Sequence, residues 1–172
     1  MDMQAITVIG DPDIWKCATT EVNAWRGGCL QAFARAEAAV TETLLCLSSV
    51  AGTGACVQLR HTLGQKLEDL AQAIGPGGGF EAEGRAAQAV IERFRAFESL
   101  RVQLAHDVAR ISLERKGAWV VVFRRVSIRN HIAERDATVY SQPDAARIRS
   151  ELKQASQRLE AALATLRATV AT

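Results

Sequence analysis

ESLRVQLAHDVARI, residues 98–111, is the stretch on which the fold turns. Read at helical spacing, it continues a stripe that begins upstream. Val90, Phe94, Phe97, Arg101, Leu104, Val108 and Ile111 recur in alternating steps of four and three, the signature of one buried helix face. The spacing therefore predicts a helix that opens near Glu81 and runs through Ile111. Beyond it, RISLERKGAWVVVFRRV (110–126) changes character. Its β-branched runs flank Lys116-Gly117, which is able to turn, so a hairpin is expected, with a strand over Ala118–Phe123. ATVYS (137–141) adds a short third strand.

Upstream, DPDIW (11–15) has the chemistry of a helix start. Asp11 caps, Pro12 suits the first helical position, and Asp13 favours the positive helix end. Trp15, Val22, Trp25, Cys29, Phe33, Ala36, Val40, Leu44 and Leu47 then form a long apolar stripe. Gly27-Gly28 interrupts it and marks a bend. A second helix is expected from about Val57 to Ile74, on Leu59, Leu63, Leu67 and Leu70. GPGGGF (75–80) follows as a loop. No strand precedes it and no Gly-Lys-Ser/Thr follows, so it is no phosphate loop.

The last helix begins at SQPD (141–144). Ser141 caps it and Asp144 stands at the capping-box position. Its stripe is Ile148, Leu152, Ala155, Leu159, Ala162, Leu166 and Val170. The expected fold is thus one mainly α domain over residues 1–172, a four-helix bundle with a small β-hairpin insertion before the last helix.

Composition agrees with a globular chain. Of 172 residues, 48% are hydrophobic but only 5% aromatic, which favours helices over a β-sandwich. The net charge of +2 is too small for bulk attraction to nucleic acid. Its distribution is uneven, however: residues 101–135 hold eight basic residues against three acidic ones. Arginines outnumber lysines 17 to 4, and arginine forks suit carboxylate and phosphate. The acidic start of MDMQAITVIG lacks the basic region of a signal peptide, and no apolar run reaches membrane-spanning length. Cys17, Cys29, Cys46 and Cys56 form no C-x-x-C pair. They are expected to be reduced, mostly buried thiols of a cytoplasmic protein, without disulfide or zinc.

Arg101 and His106 carry the functional reading. An all-α bundle with R-x4-H late in a long helix, in the phrase LRVQLAHDVARI, resembles the HEPN superfamily (higher eukaryotes and prokaryotes nucleotide-binding domains). Many of its members are metal-independent endoribonucleases with an R-x4–6-H signature. The resemblance implies a homodimer acting on RNA without metal or cofactor, as a toxin or antiphage effector, with an antitoxin or other protein as partner. The tolerant spacing also fits Arg124 or Arg125 with His131.

The chemistry is coherent. RNA is cleaved by its own 2′-hydroxyl when a group moves protons near neutral pH and positive charge steadies the phosphate. His106 would be the acid or base and Arg101 the phosphate clamp. Arg95 and Arg110, expected on the face of His106, would bind substrate. Five residues turn a helix by about 500°, so Arg101 and His106 point about 140° apart. One straight helix does not unite them; motifs from two chains would, and a helix break near Ala105 would serve too. Arg101, on the apolar stripe, is expected to hold a carboxylate or another polar partner. The alternative is a non-catalytic HEPN-like bundle that binds a partner, with the basic 101–135 region as its contact surface.

Overall fold

The computed structural model describes residues 12–114, 117–129 and 132–171. The described chain is mainly α. Helix α1 spans Pro12–Ser48, α2 Leu63–Ile74, α3 Glu81–Arg95, α4 Glu98–His106 and α5 Gln142–Val170. A 3-10 turn covers Thr53–Cys56. Three strands, β1 Val108–Leu113, β2 Trp119–Arg129 and β3 Ile132–Ser141, form one antiparallel sheet in that order.

The two long helices make the frame. Glu21 meets Gln142, Arg35 meets Glu160 and Thr43 meets Arg167, at 2.9, 2.7 and 2.8 Å. Positions on both helices rise together, so α1 and α5 run parallel. A parallel pair needs a long return, which α2, α3, α4 and the sheet supply. The expected stripe of α1 is buried from Val22 to Leu47. Trp15 departs from it, exposed at 37%. Helix α1 passes through Gly27-Gly28 unbroken. A Cβ on Gly28 would come within 3.0 Å of the Arg149 guanidinium, so the glycine admits a side chain from α5. Along α5, Leu152, Leu159 and Leu166 are buried as the spacing predicts, joined by Ser156 and Leu163. Each fully buried leucine stabilises by roughly 1.5–3 kcal/mol over an exposed one. The Ser141–Asp144 capping box is present.

Helix α2 starts later than expected, at Leu63. Thr62 and Gln65 form a reciprocal capping box that fixes the start, and Leu59 lies before it, 50% exposed. Gly84 of α3 sits against Ile74 of α2, where a Cβ would come within 2.2 Å of the Ile74 Cβ. Of the cysteines, only Cys29 is fully buried, while Cys17 and Cys56 are exposed. The expectation of mostly buried thiols is thereby corrected. Cys17 and Cys56 fall off the apolar stripes.

The largest correction concerns residues 96–113. The single helix expected from Glu81 to Ile111 is two helices and a strand, so the described residues hold five helices. At Ala96-Phe97 the backbone tightens, with the Phe97 amide bonded to the Phe94 carbonyl at 3.0 Å. Helix α4 then ends at His106, and Asp107 is extended (ψ 148°). Val108–Leu113 alternates between exposed and half-buried, the period of a strand. Ala109, Ile111 and Leu113 face inward opposite Phe123, Val121 and Trp119. The expected hairpin is present, and the short third strand proves to be ten residues long. Asp11, Lys116 and His131, to which the sequence assigns a cap, a turn and a site, lie outside the described residues.

The sheet docks through aromatic rings. Trp25 of α1 stacks 6.3 Å from Trp119, 6.1 Å from Phe123 and 5.8 Å from Tyr140. Trp119 donates its indole N–H to Glu21 at 2.8 Å. The buried Trp25 indole N–H has no such partner among the described residues.

Candidate functional site

Helix α4 presents three faces. Leu104 is fully buried against the helical core. Arg101 leans toward α1 and α2, where its guanidinium lies 3.6 Å from Glu37 Oε2. The other Glu37 oxygen accepts from Lys66 at 2.9 Å. Arg101 therefore has the carboxylate partner expected of an arginine on an apolar stripe, and it shares that partner with a second cation. His106 closes the helix and is exposed. Five residues separate it from Arg101, so the two side chains leave α4 about 140° apart.

The two expected substrate-binding residues do not join it. Arg95 ends α3 and is engaged by Glu98 at 3.2 Å and Glu92 at 3.5 Å. Arg110 is on β1, not on a helix, and points to the outer face of the sheet. The face that was to collect Arg95, His106 and Arg110 is dismantled by the helix break and the strand. Arg124 and Arg125 lie on opposite faces of β2 by strand alternation.

A cleft of about 400 Å³ opens on the third face of α4, between Gln103 and strands β2 and β3. Gln103 lies about 160° around α4 from Arg101, so the arginine turns away from this cleft. Its floor is polar and ordered. Asp107, 7% exposed, accepts from Arg125 Nε at 2.8 Å. Tyr140 donates to Gln103 Oε1 at 2.6 Å. Asp136 stands at the rim, cross-strand from Arg125.

The bond from Asp107 raises the Arg125 guanidinium above its ordinary value. Burial first, and the Asp107 charge second, push the Tyr140 hydroxyl up, so it keeps its proton through the neutral range. The cleft thus has fixed donors and acceptors but no histidine among its described lining. Among the described residues no group of His, Cys, Asp and Glu is placed to hold a metal ion. No helix of the described residues is long and apolar enough to cross a membrane.

Sequence reading missed this cleft. Asp107 and Arg125 are 18 positions apart, and Gln103 and Tyr140 are 37 apart. No local spacing links them. The one available signal was Asp107 before a β-branched run, a polar residue at a change of period. No protein family matches this chain, and neither the curated proteins nor the solved structures contain a match.

Proposed function

We propose that this chain is a non-catalytic, HEPN-like helical module that binds a partner through its basic second half. The supporting observation is the engagement of Arg101. The arginine that would clamp a phosphate is held by Glu37, in company with Lys66, on the side of α4 away from the cleft. Arg110 and Arg124 stand instead on the exposed sheet face, available to a partner.

The second reading is a metal-independent endoribonuclease acting as a homodimer on RNA. The exposure of His106 at the end of α4 favours it, because a second chain could approach the imidazole there. That reading requires Arg101 to exchange Glu37 for a phosphate.

One experiment separates the two. Single-stranded and structured RNA are incubated with the protein in chelator, above and below any dimerisation threshold seen by light scattering. The binding module leaves the RNA intact at all concentrations, and His106→Ala changes nothing. Cleavage by the native chain that is lost in His106→Ala, by about 10²–10⁴-fold in rate, would replace the binding reading with the nuclease.

A further inference from the structure

Several arginines hold a carboxylate and others do not. Arg60, Arg95, Arg101, Arg125 and Arg147 each hold a carboxylate. Arg110, Arg124 and Arg135 hold none among the described residues. These three share one surface. The register pairs Arg110 with Val122, Arg124 with Val108 and Ala137, and Arg135 with Val126. Side chains of directly paired residues lie on the same face, so all three arginines project from the outer face of the sheet.

Apolar side chains stand between them. Val108 is 65% exposed, Val126 66%, Ile128 77% and Val139 58%. No Asp or Glu lies on this face within the three strands. Glu134 and Asp136 pair with Ser127 and Arg125 and belong to the opposite face. Among the described residues, an uncovered row of valine and isoleucine beside unpaired arginines is a surface with two unmet needs: apolar contact and negative charge.

We propose that this outer face docks an extended segment of a partner protein whose sheet-facing side chains, at every second position, are acidic and apolar in turn. The proposal rests on the binding-module reading and names the partner's chemistry. Charge complementarity decides the occupant. A second copy seated face to face would set arginines against arginines, which is unfavourable across paired surfaces. RNA would satisfy the arginines but leave the valines and isoleucine without apolar partners. It would also lack stacking platforms, because Trp119, Phe123 and Tyr140 all turn inward onto Trp25. Carboxylates suit the guanidinium forks, and aliphatic side chains between them cover Val108, Val126 and Val139.

The test uses the full ¹⁵N-labelled chain and three probes of similar length: a Glu/Val peptide of repeating Glu-Ser-Val-Ser, which turns Glu and Val to one side when extended, an oligoglutamate, and oligouridine RNA. The Glu/Val peptide is expected to shift amides of β1, β2 and β3, more strongly at low salt. Oligoglutamate should bind at least tenfold more weakly. Arg124→Glu combined with Arg135→Glu should weaken the Glu/Val peptide at least tenfold. Val126→Ser combined with Ile128→Ser should weaken it without abolishing the salt dependence. The proposal is overturned if the peptide shifts nothing, or if charge reversal leaves its binding unchanged. It is equally overturned if oligouridine occupies the face more tightly than the peptide, or if the face is covered by self-association at micromolar concentration. Oligouridine bound there without cleavage removes the peptide partner and leaves the binding module standing. Cleavage lost in His106→Ala removes the module itself.

Discussion

The two faces of the sheet share strands, backbone and hydrogen bonds, yet they do opposite work. The inner face sets Trp119 and Phe123 against Trp25 and buries Val121 between them in sequence, each of the four 4% exposed or less. The outer face leaves Val108, Val126, Ile128 and Val139 more than half exposed. One residue along a strand is enough to pass from one regime to the other. The lesson is that hydrophobicity in this sheet does not report burial. β2 reads as an apolar run from Trp119 to Phe123, but only alternate members meet the helices.

If the inner face anchors the sheet, truncating it is the most damaging change to that region. Phe123→Ala removes a ring that packs on both Trp25 and Tyr140. It should lower stability by about 3–5 kcal/mol, measured by urea unfolding. A loss below about 1 kcal/mol would mean that the sheet is not packed on α1 as described.

Ser141 sharpens the comparison, since it occupies an outer-face position opposite Val120 but serves the helix that follows. Its hydroxyl accepts from the Asp144 amide at 3.3 Å and donates to the Asp144 carboxylate at 2.6 Å. Ser141→Ala should cost about 1 kcal/mol. The bonds from Ser141, with Arg147 beside it, hold the Asp144 carboxyl below its ordinary value. A depressed folded-state value stabilises above the unfolded one and is lost as pH falls through the folded one. Acid titration below the usual carboxylate range should therefore weaken the start of α5 in the native chain. The acid-induced loss should be smaller in Ser141→Ala, compared by urea unfolding at neutral and acid pH.

The smallest effect belongs to the outer face. Ile128→Ser should change stability by no more than about 0.5 kcal/mol, because the side chain is 77% exposed. A thermal melt showing a loss comparable to Phe123→Ala would mean that the outer face is covered within the chain, and the proposed docking surface would disappear with it.

Much of the helical frame was legible in the chain itself. The α1 stripe from Val22 to Leu47, the leucines of α2, and the Ser141–Asp144 cap with Leu152, Leu159 and Leu166 follow from local spacing and capping chemistry. Arg101 as a residue in need of a partner was legible too, because an arginine on an apolar stripe has to be satisfied. The identity of that partner was not. Glu37 lies 64 positions upstream, and only packing of α4 on α1 brings it within 3.6 Å.

Residues 96–113 show where local information ends. Leu104, Val108 and Ile111 satisfy helical spacing, while Ala109, Ile111 and Leu113 satisfy strand alternation. Both periods are written in the same residues. The choice falls to β2, whose backbone pairs Val108 with Arg124 through Leu113 with Trp119, since strand hydrogen bonds require a partner that no helix pattern anticipates. The sequence by itself determined the long helices and the Ser141–Asp144 cap of α5, which depend on neighbours within a few positions. Tertiary structure decided the strand after His106, the face of Arg110 and the Asp107–Arg125 pair of the cleft, because each depends on contact between segments distant along the chain.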